Sequence, residues 1–501
     1  MRLKGKDMKD ATTNSTASDQ QIVAPVTVAR RRRDSSSLKP VTNPAQVEEV
    51  VGHVALGTAE DVDDAVAAAE EAFTAWSALS ADERAQLLLE AAEAIEVEVP
   101  DRARLLTREN GKILQESEAD AMGAVRILRY YAGLTEEYAQ DEVIEDARGR
   151  IVVTRRPMGV GAVIVPWNTP VLLAFLMIAP ALLAGNTIVV KPSEMTPLAL
   201  DDTLRVLAEK LPPGVVNVVP GYGDQVGSAL VRHPRVRKIS FTGSVDTGRA
   251  IMREAASTVK NLGLELGGND PALVLQSATI DDELISELIR GVYQSSGQIC
   301  YGVKRIYVHR THYDDFVDRF TQAADEIVVG DGLDAQSTIG PLNNEQQYCF
   351  VKDLIEETKL SGAVVRTVGQ KLDPATWEGG YFLLPSVVTD LSPDAKLVTC
   401  EQFGPVVPVL PFDDEEEAVR LANDSEFGLA ASVWTNDIDH GFEVARRIEA
   451  GSVFVNIHRV GASDVSMPFG GFKQSGVGRG HGFVALEENS ELQTLAHRTD
   501  M

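Results

Sequence analysis

The chain has 501 residues, 44% hydrophobic and 24% charged, enough to bury a large core divided into two or three domains. Its 47 basic and 74 acidic side chains give a formal charge of -27, which repels phosphate backbones and argues against nucleic acid as the main partner. Only three cysteines occur, Cys300, Cys349 and Cys400, without Cys-x-x-Cys spacing or a nearby histidine pair. Neither a disulfide framework nor a structural zinc site is supported, no metal is expected, and a reducing cytoplasm fits best.

Residues 1–37 differ in kind from the rest: Ser, Thr, Asp and Lys are scattered over 9–21, and Arg30 to Arg33 form a basic run. A mobile, solvated arm is expected there. The run lacks an apolar segment beside it, and Asp7, Asp10 and Asp19 spoil a transit-peptide pattern. From Thr58 the pattern turns helical. Thr58 with Asp61 resembles a capping box, and Val62, Val66, Ala69 and Phe73 follow at helical spacing. Further helices are expected over 82–97 and 116–140. The most apolar stretch, 171–184, is shorter than a bilayer span and contains Pro180, so it reads as a buried helix and no membrane is expected as a partner.

The texture then alternates. Short apolar runs at 160–165, 186–190 and 215–219 end at Pro166, Lys191-Pro192 and Pro220-Gly221, with helical stretches at 172–183 and 199–209 between them. This strand, helix, strand rhythm is that of a doubly wound parallel sheet. A fourth strand, 238–241, feeds Thr242-Gly243-Ser244 and a helix over 246–256. Ligands of such sheets bind outside the carboxyl ends of the strands. Gly243 allows close backbone approach, and Ser244 caps a helix whose free N–H groups favour a pyrophosphate. Gly221-Tyr222-Gly223 is followed only by Gly227, so the usual Gly-x-Gly-x-x-Gly fingerprint is not met. Lys191 and Glu194 at a strand end can both hydrogen-bond ribose hydroxyls, and the Glu194 carboxylate would repel a 2′-phosphate, favouring NAD over NADP. Further on, Cys300 pairs a soft nucleophile with the carboxylate of Glu265, a combination able to form and then hydrolyse a thioester.

Seven motifs stand in order: Pro166-Trp167-Asn168, Lys191-Pro192-Ser193-Glu194, Phe241-Thr242-Gly243-Ser244, Glu265-Leu266-Gly267-Gly268, Gly297-Gln298-Ile299-Cys300, Glu401-Gln402-Phe403-Gly404-Pro405 and Pro468-Phe469-Gly470-Gly471. On them the chain resembles the aldehyde dehydrogenase superfamily from about Val41 to its end. The resemblance implies an α/β fold. A Rossmann-type NAD-binding domain would span 38–139 and 159–266, a related α/β catalytic domain 267–482, and a β oligomerisation element 140–158 with 483–501. It implies NAD-dependent oxidation of an aldehyde to the acid, with water as final acceptor, by a homo-oligomer, a dimer or tetramer. NADP would be accepted with lower preference.

By the same resemblance Cys300 is the nucleophile, and the Asn168 amide with the Cys300 backbone N–H forms the oxyanion hole. Glu265 activates water, Glu401 holds the nicotinamide ribose, and Phe403 packs beside its ring. Pro166, Trp167, Lys191, Ser193, Glu194, Gly221, Gly223, Phe241, Thr242, Gly243, Ser244, Leu266 and Gly267 complete the cofactor site. Thr169, Leu176, Met177, Gln294, Ile299, Tyr301, Arg459 and Phe469 surround the aldehyde, and His458 reads as a loop residue. Many relatives carry a lysine at the position of Met177 and a glutamate at that of Gly480, which together are thought to form a proton path. A CoA-acylating dehydrogenase, which usually lacks the Glu265 equivalent, and a cofactor-independent cysteine hydrolase are the competing readings.

Overall fold

A computed structural model describes residues 22–458 and 464–498. Five parallel strands form the centre of the first sheet, in the spatial order Asn261–Glu265, Val236–Thr242, Val160–Ile164, Thr187–Lys191, Val216–Val218. Chain order reverses between Val160–Ile164 and Val236–Thr242, which makes their carboxyl ends the topological switch point. Val160–Ile164 and Thr187–Lys191 are buried throughout, as their unbroken apolar runs require of strands covered on both faces. The helices Pro170–Leu183 and Leu198–Lys210 cover one face, and Ala59–Ala78 packs on the other. Thr58 caps Ala59–Ala78 with the reciprocal bonds of a capping box to Asp61. The helix expected over 116–140 is two, Leu114–Ala132 and Thr135–Ala139, separated at Gly133.

The arm expected to reach Ser37 does not do so within the described residues. Val23–Ala24 pairs in parallel with Gln46–Ala55, Val26–Val28 pairs antiparallel with Val216–Val218, and Arg31–Arg33 closes a hairpin on Val26–Val28. Ala24, Val26 and Val28 are buried, so this alternating apolar stripe extends the sheet. The basic run is also tied down: Arg33 bridges Asp61 and Asp64, and Arg30 Nε donates to the Ala208 carbonyl at 2.8 Å. The remainder of the expected arm, residues 1–21, lies outside the described residues.

A second, mostly parallel sheet runs Val364–Thr367, Ser386–Thr389, Val406–Phe412, Val303–His309, Asp270–Val274, Ala430–Trp434, Ser452–Val455. A third, antiparallel sheet joins Glu142–Asp146, Gly149–Pro157 and Ser490–Arg498, the last two in unbroken register from Ser490 opposite Pro157 to Arg498 opposite Gly149. One link matters most for the site. The turn Leu266-Gly267-Gly268-Asn269 leaves the last parallel strand of the first sheet and enters the middle of the second, so it sits where the two meet.

Candidate active site

The Val236–Thr242 strand ends in Gly243 and Ser244. Ser244 Oγ accepts from Thr247 N at 3.3 Å, capping the helix Val245–Ala255. Between that helix and Ser228–Arg232 lies a cavity of about 570 Å³, bounded by Ile164, Gly223, Val231, Asp246 and Ile251. Gly223 has open space where a Cβ would stand. Beyond it, Lys191 Nζ lies 3.6 Å from Glu194 Oε2 and donates to the Pro192 carbonyl at 2.9 Å. Ser193 Oγ accepts from Met195 N, and Gly221 takes a φ of 149° at the turn after Val216–Val218. Cavity, capped helix, lysine–glutamate pair and small residues together fit a dinucleotide laid across the strand ends.

Cys300 closes a loop held in an unusual backbone shape. Ser295, Ser296 and Gly297 all have positive φ, 49°, 56° and 75°. A side chain at Gly297 would meet the Gly404 carbonyl at 2.3 Å. Two serines in the left-handed region persist only because their surroundings hold them. Glu116 accepts from Ser295 N at 2.8 Å, Ser296 Oγ donates to Gly340 O at 2.7 Å, and the Gln298 side chain donates to Ser295 O while accepting from Asn343 N. His458 fixes the far side. It is buried, and burial lowers its pKa to about 4. The neutral ring donates from Nε2 to the Tyr301 carbonyl at 2.9 Å and accepts at Nδ1 from Ser432 Oγ at 2.7 Å.

Asn168 approaches this loop from the first sheet. Its Nδ2 donates one hydrogen to the Gln298 carbonyl at 3.0 Å, two residues before Cys300, and carries a second hydrogen not used in that bond. The Trp167–Asn168 backbone is clamped: Asn110 Nδ2 donates to Trp167 O at 2.8 Å, and Lys112 Nζ donates to Asn168 O at 3.0 Å. Lys112 in turn pairs with Asp120 Oδ2 at 2.7 Å, both side chains buried.

Four more ionisable groups converge on the thiol. Burial pushes Cys300 up to about 12; the negative charges of Glu401, Asp270 and Glu265 push the same way, and Lys304 draws it down. Attack near neutral pH therefore requires removal of the thiol proton in place. Burial lifts Glu265 well above the usual carboxylate range, with Arg479 and the Gly480 backbone N–H opposing. Glu401 is raised by burial, and Lys304 is lowered by burial but supported by Glu401 and Asp270. Glu401 Oε1 accepts from Gly268 N at 3.1 Å. Gln347 Nε2 donates to the carbonyls of Gln402 and Phe403, and Phe403 stands edge-on to Trp167 with ring centres 5.5 Å apart.

The residues expected around the aldehyde are dispersed along this region. Tyr301 and Phe469 meet edge-on at 5.9 Å, and Ile299 is buried beside Cys300. Thr169 precedes the helix that carries Leu176 and Met177, and those two share a small cavity with Glu265 and Phe241. Gln294 is exposed just after the helix Asp282–Tyr293. Arg459 lies outside the described residues. Lys304, Lys112, Asp120 and Glu116 were not singled out from sequence. Lys304 is signalled only as a charge in a strand-like stretch, Val303-Lys304-Arg305-Ile306, whereas Lys112, Glu116 and Asp120 lie in a polar stretch where a charged residue does not stand out.

Comparison with known proteins agrees with this geometry. The Aldehyde dehydrogenase family profile matches residues 31–495. A betaine aldehyde dehydrogenase of Bacillus subtilis is 37% identical over 473 residues, covering 93% of this chain and 95% of that protein. Aldehyde dehydrogenase, cytosolic 1, of Rattus norvegicus is 38% identical over 467 residues, covering 91% of each. Among solved structures, the NAD+ complex of an aldehyde dehydrogenase from Bacillus cereus superposes with a TM-score of 0.91 at 36% identity, covering 96% of this chain and 97% of that one. The chain belongs to the aldehyde dehydrogenase family.

Proposed function

We propose that the protein oxidises an aldehyde to its carboxylic acid with NAD, through a thioester on Cys300 that water hydrolyses. The observation that carries this is the charge of Glu265, from the first sheet, acting on the Cys300 thiol, with the Asn168 amide bonded to the Gln298 carbonyl of the loop shaped at Ser295, Ser296 and Gly297. The cofactor would lie against Pro166, Trp167, Phe241, Thr242, Gly243 and Leu266, its adenosine ribose on Lys191, Ser193 and Glu194. Its pyrophosphate would sit at Ser244 and the start of Val245–Ala255, near Gly221 and Gly223. Its nicotinamide end would rest on Glu401, Phe403 and Gly267.

Cys300 gives its proton to Glu265 as its sulfur bonds to the aldehyde carbon, producing a tetrahedral thiohemiacetal. The second Asn168 N–H and the Cys300 backbone N–H stabilise the oxyanion, and losing one such donor costs about a hundredfold or more in turnover. NAD, when bound, supplies the two-electron acceptor for the hydride that leaves the tetrahedral carbon. Once Glu265 has released the Cys300 proton to solvent, it takes a proton from water, whose oxygen bonds to the acyl carbon as the carbon–sulfur bond breaks and the sulfur leaves as a thiolate that is reprotonated for the next cycle. Glu194 makes NAD the preferred form, with NADP accepted less well. Thr169, Ile299, Tyr301, Phe469 and Gln294 would line the aldehyde path. The antiparallel sheet is exposed along Glu142–Asp146 and most of Ser490–Arg498, and such an edge supports a homo-oligomer. The cytoplasm is the proposed compartment.

The test is NADH formation from an aliphatic, aromatic, terpenoid and semialdehyde panel without CoA. Cys300→Ala should bind NAD yet form no NADH with any member. Substantial turnover by that variant would remove Cys300 from its role.

A further inference from the structure

Glu265 is half-buried, and its Oε2 atom is shielded from solvent with no hydrogen-bond partner among the described residues. A base so placed must pass on each proton it takes before it can act again. Against it lies a cavity of about 50 Å³, whose wall also includes Met177, Lys238, Ser240, Arg479, Gly480 and Glu488. A void of that size admits water, for which Glu265, Ser240 and Glu488 on the wall offer polar partners. At Gly480 the approach is open, since even a Cβ there would stop 3.8 Å from Glu265 Oε1.

Few groups on that wall can carry a proton. Met177 has none to exchange. Arg479 is permanently charged and donates to the Gly478 and Gly471 carbonyls at 2.8 and 3.3 Å. Lys238 is buried, with Nζ 3.4 Å from Glu488 Oε2; burial lowers its pKa and Glu488 supports it. Glu488 is the other carboxylate lining the cavity, and its side chain is 35% exposed, so it faces both the void and solvent. Its negative charge reaches Glu265, whose pKa it raises.

We infer that Glu488, oriented by Lys238, is the proton exit of Glu265, with water in the intervening cavity as the bridge. This rests on the reading of Glu265 as the base that activates water. Each proton that Glu265 takes, first from Cys300 and then from the attacking water, passes from its carboxyl to cavity water and on to the Glu488 carboxylate, then to solvent. Glu265 is left ionised for the next turnover, and no electrons move in this step. Glu488 touches neither thiol nor aldehyde, so it acts through Glu265.

The experiment uses the full chain with saturating NAD and aldehyde. Glu488→Gln keeps the side-chain shape but cannot take a proton from the cavity water. Expected are an unchanged NADH burst of about one per site, a steady-state rate about tenfold lower, and acyl-enzyme visible by intact mass. Added imidazole should restore the rate in proportion to its concentration. Because the charge on Glu488 raises Glu265, its loss should also move the ascending limb of kcat to lower pH. Glu488→Asp should retain most of the rate. A Glu488→Gln rate within twofold of wild type, or a loss that imidazole does not relieve, overturns the proposal. Glu265→Gln separates the two layers. Wild-type turnover by that variant removes the base assignment itself, whereas stalling there with normal turnover in Glu488→Gln removes only the exit.

Discussion

The Glu401 carboxylate occupies the space that a side chain at Gly267 would fill: a Cβ at Gly267 would stand 2.3 Å from Glu401 Oε2. Glu401 is also bonded from Gly268 N, so the Gly-Gly turn both admits and orients it. Gly267→Ala should displace this carboxylate and weaken NAD binding at least about tenfold, about 1.4 kcal/mol, with the fold intact. Calorimetric titration with NAD checks this. Unchanged affinity would mean that Glu401 does not hold the cofactor.

Lys112 reaches from the turn after the helix Val99–Asn110 to the Asn168 carbonyl while paired to buried Asp120, whose Oδ1 accepts from Leu172 N at 2.6 Å. Lys112→Met leaves Asp120 unpaired in the interior, which costs about 3 kcal/mol or more. It should lower kcat more than KM, because Asn168 loses its support. Denaturant titration together with steady-state kinetics would show both effects, and a stability loss with unchanged kcat would limit Lys112 to the fold.

Glu194, 3.6 Å from Lys191, is the group proposed to reject a 2′-phosphate. Glu194→Ser should narrow the gap between NAD and NADP in kcat/KM by roughly tenfold or more. The ratio measured with one aldehyde decides it, and an unchanged ratio would place the ribose elsewhere.

Deacylation needs Glu265 ionised, and burial holds its pKa well above the ordinary carboxylate range. The protonated form is inactive as a base, so kcat should rise with pH through an apparent pKa far above that of an exposed glutamate. A pH profile of steady-state turnover measures the midpoint. In Glu265→Gln that ascending limb should vanish, and even the first NADH per site should form slowly, because the thiol proton has lost its acceptor.

Much of the fold could be read from the chain because its local signals agree with the tertiary outcome. The strands Val160–Ile164 and Thr187–Lys191 announce themselves as apolar runs stopped at Pro166 and Pro192, and Thr58 marks its helix by a cap that forms as expected. Other features depend on partners distant in sequence. Val26–Val28 is too short to stand out beside a polar tail and four arginines, and becomes a strand only because Val216–Val218 offers it an edge. Lys304 is a charge in a buried strand whose meaning appears only when Asp270, from the neighbouring strand, and Glu401, from the loop before Val406–Phe412, come beside it. Leu176 and Met177 were assigned to the aldehyde's surroundings, yet they also line the void beside Glu265, a placement that helix periodicity alone could not reveal.

The hairpin at Val26–Val28 and Arg31–Arg33 has a practical consequence for anyone trimming this protein. Ala29 N donates to Asn217 Oδ1 at 2.9 Å, fastening the hairpin to the strand beside it. A shortened chain starting at Leu38 would strip that cover and bare the backbone of Val216–Val218, a sticky rim that invites copies to stack on one another. Solubility, rather than turnover, would be the first property to suffer.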